Sequence, residues 1–341
     1  MVLGALALGV AAIAVLSLGI GAVPLRVGRV AEVLWVGREA ARGDPSLMRD
    51  AIIVLDIRLP RMFVGLLVGA ALATGGALLQ GLFRNPLADP ALVGVSSGSA
   101  LAAAAVIVLG HRFTASPGPL PFAVLPAASF AGALAATLIL YAIATRRGRT
   151  SVATMLLAGV ALAALAGSGT GFLAFLSDDR QLRDLTFWTM GSIGGATWSK
   201  LWVVAPLIGA ALALAMVLAR ALNALILGEA EAFHLGIPVE RVKRLTILAV
   251  ALAVGAAVAT AGLIGFVGLV VPHVIRLVAG PDHRLLLPAS ALLGGGLLLA
   301  ADMAARTLVA PAELPIGIVT ALIGAPYFLW LLLRQNTSLD S

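Results

Sequence analysis

The chain contains no cysteine, and only two of its 341 residues are lysine, Lys200 and Lys243. The first absence excludes disulfides, thiol chemistry and cysteine-held iron–sulfur sites. The second excludes a Walker A phosphate loop, because neither lysine follows the required glycine-rich stretch. If ATP drives this protein, another subunit must hydrolyse it. Charged residues make up only 11% of the chain, against about a quarter in soluble domains. That scarcity, with 61% hydrophobic residues and a mean hydropathy of +1.07, excludes an ordinary soluble domain. The net charge of +7 does not imply nucleic acid, since loop arginines in a polytopic protein set orientation.

A bilayer core takes roughly 20 apolar residues per helix. Such segments occur at Val2–Val23, Met62–Leu82, Ala91–Gly110, Phe122–Ala144, Val152–Leu176, Leu201–Ala219, Leu285–Ala301 and Ile316–Leu333. Leu245–Leu277 is too long for one span. Gly262, Gly265, Gly268 and Pro272 offer places to break it into a full helix and a short one. The expected fold is therefore an all-α polytopic membrane protein of about ten transmembrane helices, a single domain over residues 1–341. The first segment lacks preceding basic residues and exceeds the usual signal core of about 7–15 residues, so it reads as a retained helix.

Gly69–Gly76 (GAALATGG) returns as Gly255–Gly262 (GAAVATAG), and at the same offset Pro86 falls on Pro272. Basic loops at Arg84, Arg146–Arg149, Arg220–Arg244 and Arg276–Arg284, and the tail after Arg334, alternate with loops poorer in basic charge. Positive charge favours the cytoplasm, which puts both termini inside and makes the two copies antiparallel. The expectation is an inverted repeat of the second to fifth and seventh to tenth spans, about 58–176 and 244–334, a transporter signature. The connection Pro24–Arg61 conflicts, because it should lie outside yet carries seven arginines beside five acids.

Ionisable residues within the spans are nearly absent, whereas ion-coupled carriers keep embedded relays. Asp302 and Arg306 are the exception, four apart and able to pair on one helix face. His273 reads as an interfacial polar residue, and the other histidines have no metal-ligand spacing. Gly94–Gly98 (GVSSG) fits a nucleophile-elbow pattern, but it lies inside an apolar helix rather than on a strand–turn–helix. Gly167, Ser168 and Thr170 belong to a small, hydroxylated stretch suited to close packing or to the wall of a passage.

Three further segments resemble working parts. Leu227–Arg244, within a connection of about 221–244, is amphipathic and carries a Gly-Ile-Pro turn, which suits docking to a soluble partner. Asn85–Pro90 forms a rigid turn between two prolines, with Asp89 set to cap the next helix. Arg58, Arg61 and Arg306 fall at outer helix ends, where exposed arginines could receive acidic side chains.

The chain resembles the membrane permeases of type II ABC importers, the FecCD-like family that takes up iron–siderophores, cobalamin and haem. The likeness rests on Arg58–Arg61 (RLPR), Gly69–Gly98, Leu157–Leu162 (LAGVAL) and Phe187–Trp198 (FWTMGSIGGATW). It continues through Leu227–Ile237, Gly262–Arg276, Asp282–Pro288, Ala301–Arg306 (ADMAAR) and Glu313–Pro326. The resemblance implies a transport subunit rather than an enzyme, working as a homodimer in the bacterial inner membrane. Two cytoplasmic ATPases would carry ATP and Mg, and a periplasmic binding protein would deliver cargo. No cofactor and no nucleic acid are implied for this chain. By position, Arg58, Arg61 and Arg306 resemble arginines that dock the binding protein. Glu229, Ala230, Glu231, Ala232, Phe233, His234, Leu235, Gly236, Ile237, Pro238, Val239, Glu240 and Arg241 resemble the ATPase-coupling helices. Asn85 and Leu87 resemble cytoplasmic gate residues. Val152 and Ala153 stand where some relatives carry Thr-Ser, with Ser151 and Thr154 beside them. Gly167, Ser168 and Thr170 fall on the helix that resembles the pathway lining. Phe187–Trp198 and Asp178–Arg183 look most like haem permeases, making haem the expected cargo, ahead of ferric siderophores and cobalamin. An ion-coupled secondary carrier is the rival from another class.

Overall fold

The computed structural model describes residues 1–40, 43–90, 94–113, 123–146 and 148–336. Predicted features at 91–93, 114–122, 147 and 337–341 lie outside the described residues. The elements are α1 (Val2–Gly19), α2 (Val27–Ala40), α3 (Pro45–Ala51), a π-helical segment (Ile52–Arg58), α4 (Leu59–Phe83), α5 (Val95–Phe113) and α6 (Val124–Ala144). A two-residue hairpin follows, β1 (Thr145–Arg146) paired antiparallel with β2 (Arg149–Thr150). Then come α7 (Val152–Leu176), α8 (Asp179–Met190), α9 (Trp198–Leu227), α10 (Glu229–His234), α11 (Val239–Ala261), α12 (Val267–Ala279), α13 (His283–Thr307) and α14 (Ile316–Asn336). Among the described residues seven helices are long and apolar enough to cross a membrane, and three shorter apolar helices join them. The expected ten are thus present.

Helix α4 is the axis of the bundle, with its flanks packed by α9, α11, α12 and α13. Packing in lipid depends on close backbone approach, and Gly69 allows it: a methyl there would collide with the backbone of Gly294 and Gly295 on α13. Gly98 and Gly132 do the same for α5 against α6. Gly81, at the end of α4, faces His283 at the start of α13, while Arg61, at its beginning, bonds Asp302 near the end of α13. The two helices are therefore antiparallel. Helix α11 also runs against α4, because its last residue accepts from Ser192 N, two residues from the Gly194 that adjoins Arg61. The GAALAT and GAAVAT copies accordingly lie on helices of opposite direction.

The long apolar run breaks at Gly262–Phe266, past Gly255, which stays inside α11. Gly262 (φ 71°) and Phe266 (φ 67°) take left-handed conformations, and the second is tolerated because Gly324 leaves room for its ring. Pro272 lies inside α12 rather than at the break. Other expectations are corrected. The 24–61 connection contains α2 and α3, and α3, the π segment and α4 form one 39-residue helix, Pro45–Phe83. Ser177–Lys200 contains α8, which begins with a capping box between Asp178 and Gln181. Helix α9 runs eight residues beyond the expected Ala219, to Leu227.

Candidate functional site

At one end of the bundle Arg58, Arg61 and Arg306 converge as expected, but not as an exposed cluster: each is 5–6% exposed. The reason lies in their partners. Arg61 donates through Nε and Nη2 to Asp302 Oδ1 at 3.0 and 2.8 Å, and through Nη1 and Nη2 to Glu313 at 3.0 and 2.9 Å. Arg306 Nε stands 3.0 Å from Asp302 Oδ2, the pairing that the four-residue spacing suggests. Arg58 is held by carbonyls instead. Its Nη1 reaches Leu18 O and Gly19 O at 2.7 and 2.9 Å, and its Nη2 reaches Val23 O. Arg306 Nη2 adds Ser17 O at 3.3 Å. The last carbonyls of a helix have no donor within it, so two guanidinium groups complete the end of α1. Glu313, with 43% of its side chain exposed, is the part of this network that faces outward.

Between α4, α5, α7 and the α11–α12 break lies a cavity of about 400 Å³. Gly167 and Thr170 of α7 line it, together with Ser96, Ser97 and Asp89. Ser168 does not line it. It is exposed on another face of α7, and its hydroxyl donates back to Ala164 O at 2.9 Å. The GVSSG motif splits physically: Gly98 serves packing against α6, while Ser96 and Ser97 line the cavity. Both sit on helix α5, so no nucleophile elbow forms.

The cavity's neighbours at the other end carry the remaining predicted residues. Asn85 Oδ1 accepts from Leu87 N at 2.9 Å, fixing the turn after α4. Val152 and Ala153 occupy the first turn of α7, where Ser151 Oγ accepts from Thr154 N and from Thr154 Oγ1. The hydroxyls beside Val152 and Ala153 thus serve the helix cap. Among Glu229–Arg241, Ala232 and Val239 are buried and anchor the segment; Phe233 and Leu235 are exposed at 70% and 63%. Glu229, Ala230, His234, Glu240 and Arg241 line a groove of about 680 Å³ that reaches Arg149 of the hairpin. Nearby, Asp282 caps α13 through Arg284 N and accepts from Asn223 Nδ2; these bonds hold its carboxyl below the usual carboxylate range. Sequence reasoning missed Lys243 and Glu313, whose partners come from distant parts of the chain. Among the described residues no three His, Asp or Glu side chains gather as a metal site.

A bundle of apolar helices around a cavity lined by small and hydroxylated groups, with a short, largely exposed helix at one end, fits a membrane permease. The chain belongs to the FecCD transport family, whose pattern matches residues 9–334. It is 50% identical over 284 residues to the hemin transport system permease protein HmuU of Yersinia pestis, covering 83% of this chain and 84% of that protein. It is also 50% identical over 281 residues to the cobalamin import system permease protein BtuC of Halobacterium salinarum, covering 82% and 73%. A solved inward-facing metal-chelate type ABC transporter superposes with a TM-score of 0.82 at 33% identity, covering 98% of each chain. The chain is thus a multi-pass permease subunit of an ABC transporter and not an enzyme; a separate ATPase hydrolyses ATP. Family members work as dimers with ATPases and a binding protein.

Proposed function

We propose that the chain, paired with a second copy, moves haem from a periplasmic binding protein into the cytoplasm by alternating access across the bacterial inner membrane. Two ATPases carrying ATP and Mg drive it, and both termini face the cytoplasm. The cavity beside α7 is the observation that carries the reading: a mostly apolar wall bearing Ser96, Ser97 and Thr170 offers passage without tight binding. Gly167 and Thr170 form the pathway, and Asn85, Leu87, Val152 and Ala153 the cytoplasmic gate. Helix α10 and the start of α11, Glu229–Arg241, couple to the ATPase through exposed Phe233 and Leu235. Arg58, Arg61 and Arg306 receive the binding protein, whose acids compete with Glu313 for Arg61. The repeat halves are about 58–176 and 244–334, with the coupling connection between them.

Haem as cargo is supported by the likeness to the Yersinia hemin permease. The equal likeness to the Halobacterium cobalamin permease supports cobalamin as a second reading. ATP-dependent uptake of haem, a ferric siderophore and cobalamin is measured in liposomes holding this chain with its ATPase and binding protein. Haem uptake alone is expected. Uptake of another ligand replaces the cargo, and uptake under an ion gradient without ATP overturns the mechanism.

A further inference from the structure

Lys243, one of two lysines in the chain, is 2% exposed, and its ammonium meets three separate pieces of structure. Nζ donates to Glu229 Oε2 at 2.8 Å, at the first residue of α10. It donates to Thr150 O at 2.8 Å, in the β hairpin that ends one residue before the α7 cap. Its third partner is Glu240 Oε1 on its own helix, at 3.2 Å. Glu240 closes the loop, since its Oε2 accepts from Thr150 N at 3.0 Å.

The pieces on either side are stiff. Thr145 pairs with Thr150 across the hairpin, and Ser151 N donates to Ala144 O at 3.0 Å, so the α6–α7 connection cannot move without moving the first turn of α7. Ser151 then caps that turn through Thr154 N. On the other side α10 is pinned by fully buried Ala232, while Glu229 remains half-exposed at the groove. A compact ammonium with rotatable donors spans the gap between them. Burying it costs several kcal/mol unless its donors are satisfied, and here three acceptors satisfy it. Retaining so costly a group is explained if it joins elements that have to move together.

We propose that Lys243 is the tie through which displacement of α10 reaches the start of α7, and so the cavity wall at Gly167 and Thr170. This rests on the reading of α10 as the ATPase contact. When the ATPases close on α10, Glu229 shifts, Lys243 carries Thr150 with it, and α7 tilts from its first turn. Lys243 is thus a positioning residue: it touches neither nucleotide nor cargo.

The test uses the whole complex in liposomes and reads cargo uptake per ATP hydrolysed, together with the separation of spin labels at exposed Glu231 on α10 and exposed Leu157 on α7, with and without ATP. Lys243→Met is expected to keep the ATPase attached and hydrolysing, to lower uptake per ATP at least tenfold, and to leave the α7 label unmoved when the α10 label moves. Lys243→Arg restores a measurable part of the coupling. Unchanged uptake per ATP in Lys243→Met overturns the tie. If that variant does not assemble, Glu229→Ala, which removes the arm from α10 to Lys243, is read the same way, and a wild-type ratio there overturns it equally. Attachment of the ATPase is scored separately with Phe233→Asp; if the ATPase stays bound to that variant, the α10 contact falls, not the Lys243 tie.

Discussion

Asp302 is the point at which the arginine end is most exposed to perturbation in energy terms. It is 1% exposed and is the shared carboxylate of Arg61 and Arg306. Replacing it by Asn keeps the shape and removes the charge, leaving Arg306 with no carboxylate and Arg61 with Glu313 as its only one. Removing one partner of a buried ion pair costs about 3–5 kcal/mol. With an unfolding entropy of ~2.1 cal/mol/K per residue over 341 residues, that corresponds to a fall of about 4–7 °C in Tm. Glu313→Gln is the internal comparison: its side chain is 43% exposed, and solvent screening limits its loss to about 0–1 kcal/mol, or under about 2 °C. Thermal unfolding of the purified permease in one detergent, followed by tryptophan fluorescence, measures both. Equal shifts for the two variants, or a shift under about 2 °C for Asp302→Asn, would refute the idea that Asp302 neutralises two buried cations.

Gly69→Val drives a branched side chain into the Gly294 backbone, and a loss of at least about 3 kcal/mol is expected, read as collapse of monodisperse protein on gel filtration. Thr170→Trp fills the cavity wall; uptake should fall at least about tenfold while the ATPase remains bound, since the residue lies far from α10. Asp282 has its folded pKa lowered, first by the Arg284 N–H and then by Asn223, so its cap contributes above the unfolded pKa of about 3.9 and is lost as pH falls through the lower folded value. The stability gap between wild type and Asp282→Ala should therefore be full at pH 6 and shrink below about pH 4.

Features set by local composition were legible in the sequence. Apolar run length gave the number of spans, and the glycines at 262 and 265 marked the broken helix. The Asp302–Arg306 spacing foretold a real pair. What depended on distant partners was not legible. Arg61 finds Asp302 and Glu313 at separations of 241 and 252 residues, and without those acids in view its charge reads as exposed. Lys243 meets Thr150 across 93 residues. The 24–61 stretch read as a loop because its arginines break the apolar run. Two of those arginines instead pair with nearby acids, Arg29 with Glu32 and Asp50, and Arg38 with Asp56, and so remain compatible with helix.

The carbonyls that end α1 bear on the order in which the chain assembles during synthesis. Helix α1 is thinly packed, with 17% of its apolar window buried, so its seat depends strongly on its last turn. Of the side chains that donate to that turn, Arg58 is translated 40 residues after its partner Leu18, and Arg306 289 residues after its partner Ser17. Helix α1 is therefore made long before its last side-chain donor, and a nascent chain stopped before residue 306 lacks the bond from Arg306 to Ser17 O.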